Sequence, residues 1–192
     1  MSLVLASRNP HKAREFGALL DGVEVLPLPE DVQLPPETGE TFEANALPKA
    51  RTAAEATGRL AFADDSGIES AALAGAPGVR SARFAGEDAS DADNLAKLVA
   101  EAPSGSALAY VCVIALVDPA TGEERTFEGR CAGTMAGVPR GSGGFGYDPI
   151  FVPDDLHDGR TMAELSQAEK DAISHRGRAA RALLEHLRGG SR

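Results

Sequence analysis

The sequence predicts an α/β protein, a mixed central sheet flanked by helices, on three observations. Apolar runs and helix-patterned segments alternate through residues 3–63, the order of parallel βαβ units. Beyond residue 108 the apolar runs follow one another with only a turn between them, which adds adjacent strands and makes the sheet mixed. At 192 residues and 43% apolar, the chain suits a single domain and is long enough to bury a real core.

Taken in order, residues 3–7 read as a short strand of Leu, Val and Ala. Asn9 and Pro10 then start a helix: Asn caps the free amides, and Pro stands where a missing N–H costs nothing. Ala13, Phe16, Leu19 and Leu20 mark its apolar side. A second strand covers 23–26, and a proline-rich loop covers 27–39. Residues 41–57 are alanine-rich and helical in pattern, closed by Gly58. Pro48 lacks a backbone donor and clashes with the carbonyl of Ala44, so a kink or break is expected just before Lys49. Strand 60–63 runs into a charged turn, Asp64-Asp65-Ser66-Gly67. Residues 75–81 form an irregular loop, 91–102 an amphipathic helix with Leu95, Leu98 and Val99 inward, and 103–106 a linker. Strands 108–117 and 124–129 flank a hairpin turn at 118–122, and 130–138 extends the sheet. Two capping boxes follow, Thr161 with Glu164 and Ser166 with Glu169, and the last helix covers about 176–188, ahead of Gly189 and Gly190.

Charge narrows the function. A net charge of −10 and a pI near 4.9 argue against a broad basic face for a nucleic-acid polymer. A small phosphorylated ligand remains, held by local positive charge or through a divalent metal. Cys112 and Cys131 lie in apolar stretches without Cys-x-x-Cys spacing, as expected of buried free thiols in a reducing cytoplasm. The apolar run 108–117 is ten residues, about half of a spanning helix. Residues 1–7 lack the pattern of a signal peptide, so the expectation is a cytoplasmic protein with no membrane partner.

Asp64 and Asp65, a paired acid at a strand end, are placed where α/β enzymes hold a metal or a general base, although Asp, Ser and Gly also make ordinary turns. Four polar islands bear on the choice. Residues 7–12 (Ser7, Arg8, Asn9, Pro10, His11, Lys12) open a helix, where free amides and a lysine make an anion site; a plain capped helix accounts for them as well. In residues 36–49, Glu37 suits a metal and Lys49 a phosphate, and a solvated loop explains them equally. The third, 141–149, has four glycines in six positions, which let the backbone approach a ligand, and places Phe145 and Tyr147 where an aromatic can stack on a base or fold into the core. The fourth is 169–178, a helix, a break and a helix start with His175 and Arg176 as directional donors or as surface charge. There are fifteen arginines and four lysines, and Lys12, Lys49 and Lys170 fall in or beside the islands, which favours phosphate binding by lysine.

Together, Ser7-x-Asn9-x-x-Lys12, Phe62-Ala-Asp64-Asp65-Ser66-Gly67, Gly143-Gly144-Phe145-Gly146-Tyr147-Asp148-Pro149 and Lys170-x-x-x-Ser174-His175-Arg176 resemble the non-canonical purine nucleoside triphosphate pyrophosphatases, the inosine/xanthosine triphosphate pyrophosphatase family. The resemblance spans residues 3 to about 188. It implies magnesium-dependent hydrolysis of inosine, deoxyinosine and xanthosine triphosphates to monophosphate and pyrophosphate. It also implies an elongated two-lobed domain with the active site in the cleft, usually a homodimer. On this sequence it makes Asp65 the general base, Glu37 and Asp65 the metal acids, and Ser7 to Lys12 with Lys49 the triphosphate grip. Ser66 becomes a substrate contact, and Phe145, Gly146, Tyr147, Asp148, Lys170, His175 and Arg176 surround the nucleotide and its base. Adjacent strand residues face opposite ways, so unless the strand has already ended only one of the two acids faces the cleft, and Asp64 is expected as a supporting acid. Arg8 departs from the family's frequent glycine, and Pro48 precedes the expected lysine.

Overall fold

The structure is a computed structural model that describes residues 1–189. Gly190 lies outside the described residues. Five helices, α1 (Pro10–Leu19), α2 (Phe42–Thr57), α3 (Asp91–Glu101), α4 (Gln167–Ile173) and α5 (His175–Gly189), accompany six strands: β1 (Ser2–Leu5), β2 (Glu24–Pro27), β3 (Ala61–Ser70), β4 (Ala107–Val117), β5 (Glu124–Met135) and β6 (Phe151–Pro153). The sheet order is β2-β1-β3-β4-β5-β6, with β1 parallel to both β2 and β3 and β5 antiparallel to β6. The mixed sheet expected from the order of elements is therefore present. No helix among the described residues is long and apolar enough to cross a membrane.

The chain divides into two compact units: Met1–Asp65 with Cys112–Gly129 and the chain from Arg176, and Ser66–Val111 with Arg130–His175. In the first, strand alternation sorts side chains onto two faces. Leu3, Leu5, Phe62, Cys112, Ile114 and Leu116 pack with Phe16 of α1, Leu20 at its C-terminal cap, and Ala179, Ala180 and Leu183 of α5. Val4, Ala6, Ala61, Ala63, Ala115 and Val117 pack instead with Ala46, Ala50, Ala53 and Ala54 of α2. Burial on both faces explains why these strands read as continuous apolar runs. In the second unit, one core gathers Ile68, Leu98, Tyr110, Cys131, Tyr147, Ile150, Phe151 and Met162. Both cysteines are free and buried.

Three local expectations are corrected. Helix α2 runs through Pro48 without a break; four of its six alanines are fully buried on the sheet, and that packing carries it past the lost donor. Asp64-Asp65-Ser66-Gly67 is not a turn but the interior of β3, because ion pairs and hydrogen bonds satisfy the two acids in place. Segments 124–129 and 130–138 form one strand, β5, that ends at Met135. The caps at Asn9, Thr161 and Ser166 and the left-handed Gly58 stand as expected.

Candidate active site

The two-residue period of β3 continues past its apolar part, so Asp64 follows Phe62 onto the face of α1 and α5, and Asp65 follows Ala63 onto the face of α2. Asp64 is 1% exposed. Lys12 Nζ lies 2.9 Å from its Oδ1 and Arg176 Nη2 3.4 Å from its Oδ2. Lys49 Nζ donates to its backbone oxygen at 2.8 Å. Burial alone would raise this carboxyl, but Lys12, Arg176 and Lys49 outweigh it and hold the group at about 2. Arg176 also pairs with Glu15 of α1 and lies over the Phe16 ring, 5.7 Å from its centroid. Burial opposes its charge, yet Asp64 and Glu15 keep the guanidinium more basic than usual.

Asp65 has a different environment. Asn45 of α2 donates to its Oδ2 at 2.9 Å and accepts from the Gly39 amide at 2.7 Å. A Cβ at residue 39 would lie 2.8 Å from Asn45 Oδ1 and 2.7 Å from Ala44 Cβ, so only glycine lets the loop approach α2 this closely. Burial raises the Asp65 carboxyl above its ordinary range; the Asn45 bond opposes that rise and the Glu37 carboxylate adds to it. Glu37 in turn holds Lys49 Nζ at 2.5 Å. No group of three or more His, Cys, Asp or Glu gathers among the described residues as a metal cage. Two neighbouring carboxylates, Glu37 and the Asp65 whose proton affinity it raises, still fit magnesium, which commonly takes one or two carboxylates and completes its octahedron with phosphate oxygens and water.

The segment at residues 7–12 divides by function. Asn9 Oδ1 accepts from the amides of His11 and Lys12, Ser7 Oγ accepts from the Asn9 amide at 3.1 Å, and Pro10 opens α1. The His11 ring contacts Arg14 at 2.9 Å. The Arg8 guanidinium turns away to the carbonyls of Leu28, Pro29, Glu30 and Val32, tying down the proline-rich loop. Only Lys12 of this segment reaches the acids.

A second polar group lies in the other unit, centred on Asp148, which is 2% exposed. Its Oδ2 accepts from Lys170 Nζ at 2.6 Å and from the Phe145 amide at 2.9 Å, and its Oδ1 from the Tyr110 hydroxyl at 3.1 Å. Lys170 Nζ also stands 4.5 Å from the Phe145 ring centroid. A Cβ on Gly144 would fall 2.0 Å from Asp148 Oδ2, so this loop needs glycine there. The two loop aromatics part company: Phe145 is 41% exposed, while Tyr147 is buried with its hydroxyl donating to the Ser81 carbonyl at 2.7 Å. The Gly146 amide donates to Asp91. His175 is buried and stacks on Tyr110, 4.7 Å between centroids and 10° between planes. Ser66 follows Asp65 on β3 and is partly exposed.

The structure thus brings Lys12, Lys49, Glu37, Asp65 and Arg176 together around Asp64, and Phe145, Asp148, Lys170 and His175 into a second group. Sequence reasoning assigned no role to Asn45, Glu15 or Tyr110. Asn45 carried a faint signal, an amide within an otherwise alanine-lined helix face.

The fold and site define a class of protein: a mixed α/β sheet with acids, lysines and an arginine gathered about the middle of one strand. The Ham1 family model matches residues 3–186, and the chain belongs to the Ham1 family. It is 50% identical to the dITP/XTP pyrophosphatase of Mycobacterium bovis, covering 97% of this chain and 95% of that relative. The dITP/XTP pyrophosphatase of Geobacter sulfurreducens is 49% identical, covering 96% of each. Among solved structures, a HAM1 protein from Coxiella burnetii superposes with a TM-score of 0.88 at 43% identity, over 98% of this chain and 99% of that one. The Staphylococcus aureus Ham1 protein does so at 0.87 and 39%, over the whole of both.

Proposed function

We propose that this chain is a nucleoside triphosphate pyrophosphatase that hydrolyses deoxyinosine, inosine and xanthosine triphosphates to the monophosphate and pyrophosphate. The observation that carries the reading is the unequal pair in β3: Asp64 is held at about 2 by three cations, while burial and Glu37 raise Asp65. Two adjacent acids pushed apart in proton affinity divide into a fixed anion and a base.

In this reading Asp65 takes the proton of a water aimed at the α-phosphorus. Asp64 stays ionised and orients Lys12 and Arg176. Lys12 and Lys49, with the α1 start, grip the triphosphate. Glu37 and Asp65 would hold magnesium, which would supply charge neutralisation for the phosphates and the departing pyrophosphate. The exposed Phe145 ring stacks on the purine, with Lys170, Asp148 and His175 beside it. A hydrogen-bond donor such as a backbone N–H favours the 6-oxygen of hypoxanthine and xanthine over the amino group of adenine. A homodimer acting in the cytoplasm belongs to the same proposal, with light scattering as the check on its assembly.

The deciding experiment assays a panel of nucleoside triphosphates with and without magnesium, detecting pyrophosphate separately from orthophosphate. Magnesium-dependent pyrophosphate release from inosine and xanthosine triphosphates is expected. Preferential cleavage of adenosine or thymidine nucleotides, or binding without pyrophosphate release, overturns the reading.

A further inference from the structure

Tyr110 belongs to none of the nucleotide contacts assigned above, yet it joins two of them. It stands in β4 and is 7% exposed. One side of its ring stacks on His175, 4.7 Å away and 10° from parallel, and Phe151 packs against it at 4.7 Å and 38°. Its hydroxyl donates to Asp148 Oδ1 at 3.1 Å, the oxygen opposite the one that takes Lys170 and the Phe145 amide. One rigid side chain on a central strand therefore fixes both the plane of an imidazole and the rotation of a carboxylate. That carboxylate in turn sets the loop amide of the exposed Phe145 and the ammonium above its ring.

Resting on the function proposed above, we infer that Tyr110 is a positioning residue for base recognition: through its hydroxyl on Asp148 and its ring under His175 it holds the purine-reading side chains in register. Free rotation of Asp148 about its side-chain bond would release Oδ2 from the Phe145 amide and tilt the stacking ring. A displacement of that kind weakens binding of the base without touching the acids of β3.

Two variants separate ring from hydroxyl. Tyr110→Phe keeps the stack on His175 and removes the bond to Asp148, whereas Tyr110→Leu removes both. The dissociation constant for inosine triphosphate is measured by calorimetry without metal, alongside KM, kcat and the preference for inosine over guanosine triphosphate with magnesium. Tyr110→Phe is expected to weaken binding and raise KM about tenfold, the loss of one hydrogen bond to a charged group, with kcat changed less than about twofold. The base preference should fall in parallel, Tyr110→Leu should go further on each count, and the melting temperature of the Phe variant should fall by only a few degrees, the cost of one buried partner lost by Asp148. Wild-type affinity, KM and preference in Tyr110→Phe overturn the inference, as does a loss confined to kcat and melting temperature. Binding by the wild type without hydrolysis removes the proposed activity and leaves the dissociation constants to decide on Tyr110. Absence of binding by the wild type overturns both.

Discussion

Asp64 and Asp148 are both buried carboxylates paired with a lysine, at 2.9 and 2.6 Å, but they are carried differently. Asp64 lies inside β3, and its cationic partners come from α1 and α5, so three regular elements hold the cluster. Asp148 follows a glycine-rich loop, and one of its oxygens bonds the backbone of that loop at Phe145. In the first group the scaffold fixes the charges; in the second a charge fixes the scaffold. Chemistry that needs an anion and two cations at set positions is served by the first plan, and recognition of a flat base by a shaped loop is served by the second.

The largest effect expected is on Asp65. Asp65→Asn should lower pyrophosphate release about 10³-fold, the scale of a lost general base, while the fold is retained. Near-normal turnover in that variant breaks the division between the two acids of β3. Asp64→Asn should act on stability instead, costing about 3–5 kcal/mol because it strands Lys12 and Arg176. Asp148→Asn strands only Lys170 among cations and should cost less. Equal losses in urea unfolding would erase the contrast between the two groups.

Acid titration sharpens the same contrast. The folded carboxyl of Asp64 sits at about 2, below its unfolded value, so its contribution of about 2 kcal/mol is present above about pH 4 and lost as pH falls toward 2. The deficit of Asp64→Asn relative to wild type should shrink over that window. Asp65 has the opposite sign: its raised folded value costs stability near neutrality, and the cost vanishes as pH falls through that value. Asp65→Asn should therefore be at least as stable as wild type at pH 7, with any advantage fading in acid. The smallest effect concerns the loop. Phe145→Ala should raise KM about tenfold through lost stacking, with no change in melting temperature because the ring is 41% exposed. A drop in melting temperature would mean that Phe145 supports the loop rather than the base.

Most of the architecture was legible because its signals are local. The cap at Asn9, the boxes at Thr161 and Ser166, and the apolar runs of β1 and β4 each depend on residues a few positions apart. Legibility failed where tertiary packing overrides propensity. Pro48 reads as a break, but four alanines sealed against the sheet carry α2 through it. Asp-Asp-Ser-Gly reads as a turn, but partners from three helices let β3 continue. The glycine-rich run gave no sign that Tyr147 would enter the core and Phe145 remain outside.

By itself, then, the amino-acid order determined the fold class, the start and stop of most elements, and a set of motifs whose likeness to a family is borne out over residues 3–186. It left open whether Asp64 and Asp65 face opposite ways, since alternation holds only within a strand and these two residues read as a turn. Only the tertiary structure decided what each acid meets: Lys12 and Arg176, 52 and 112 positions away, on one face, and Asn45 on the other. Electrostatic energy depends on distance through space and on burial, and neither is written in the spacing of residues along the chain.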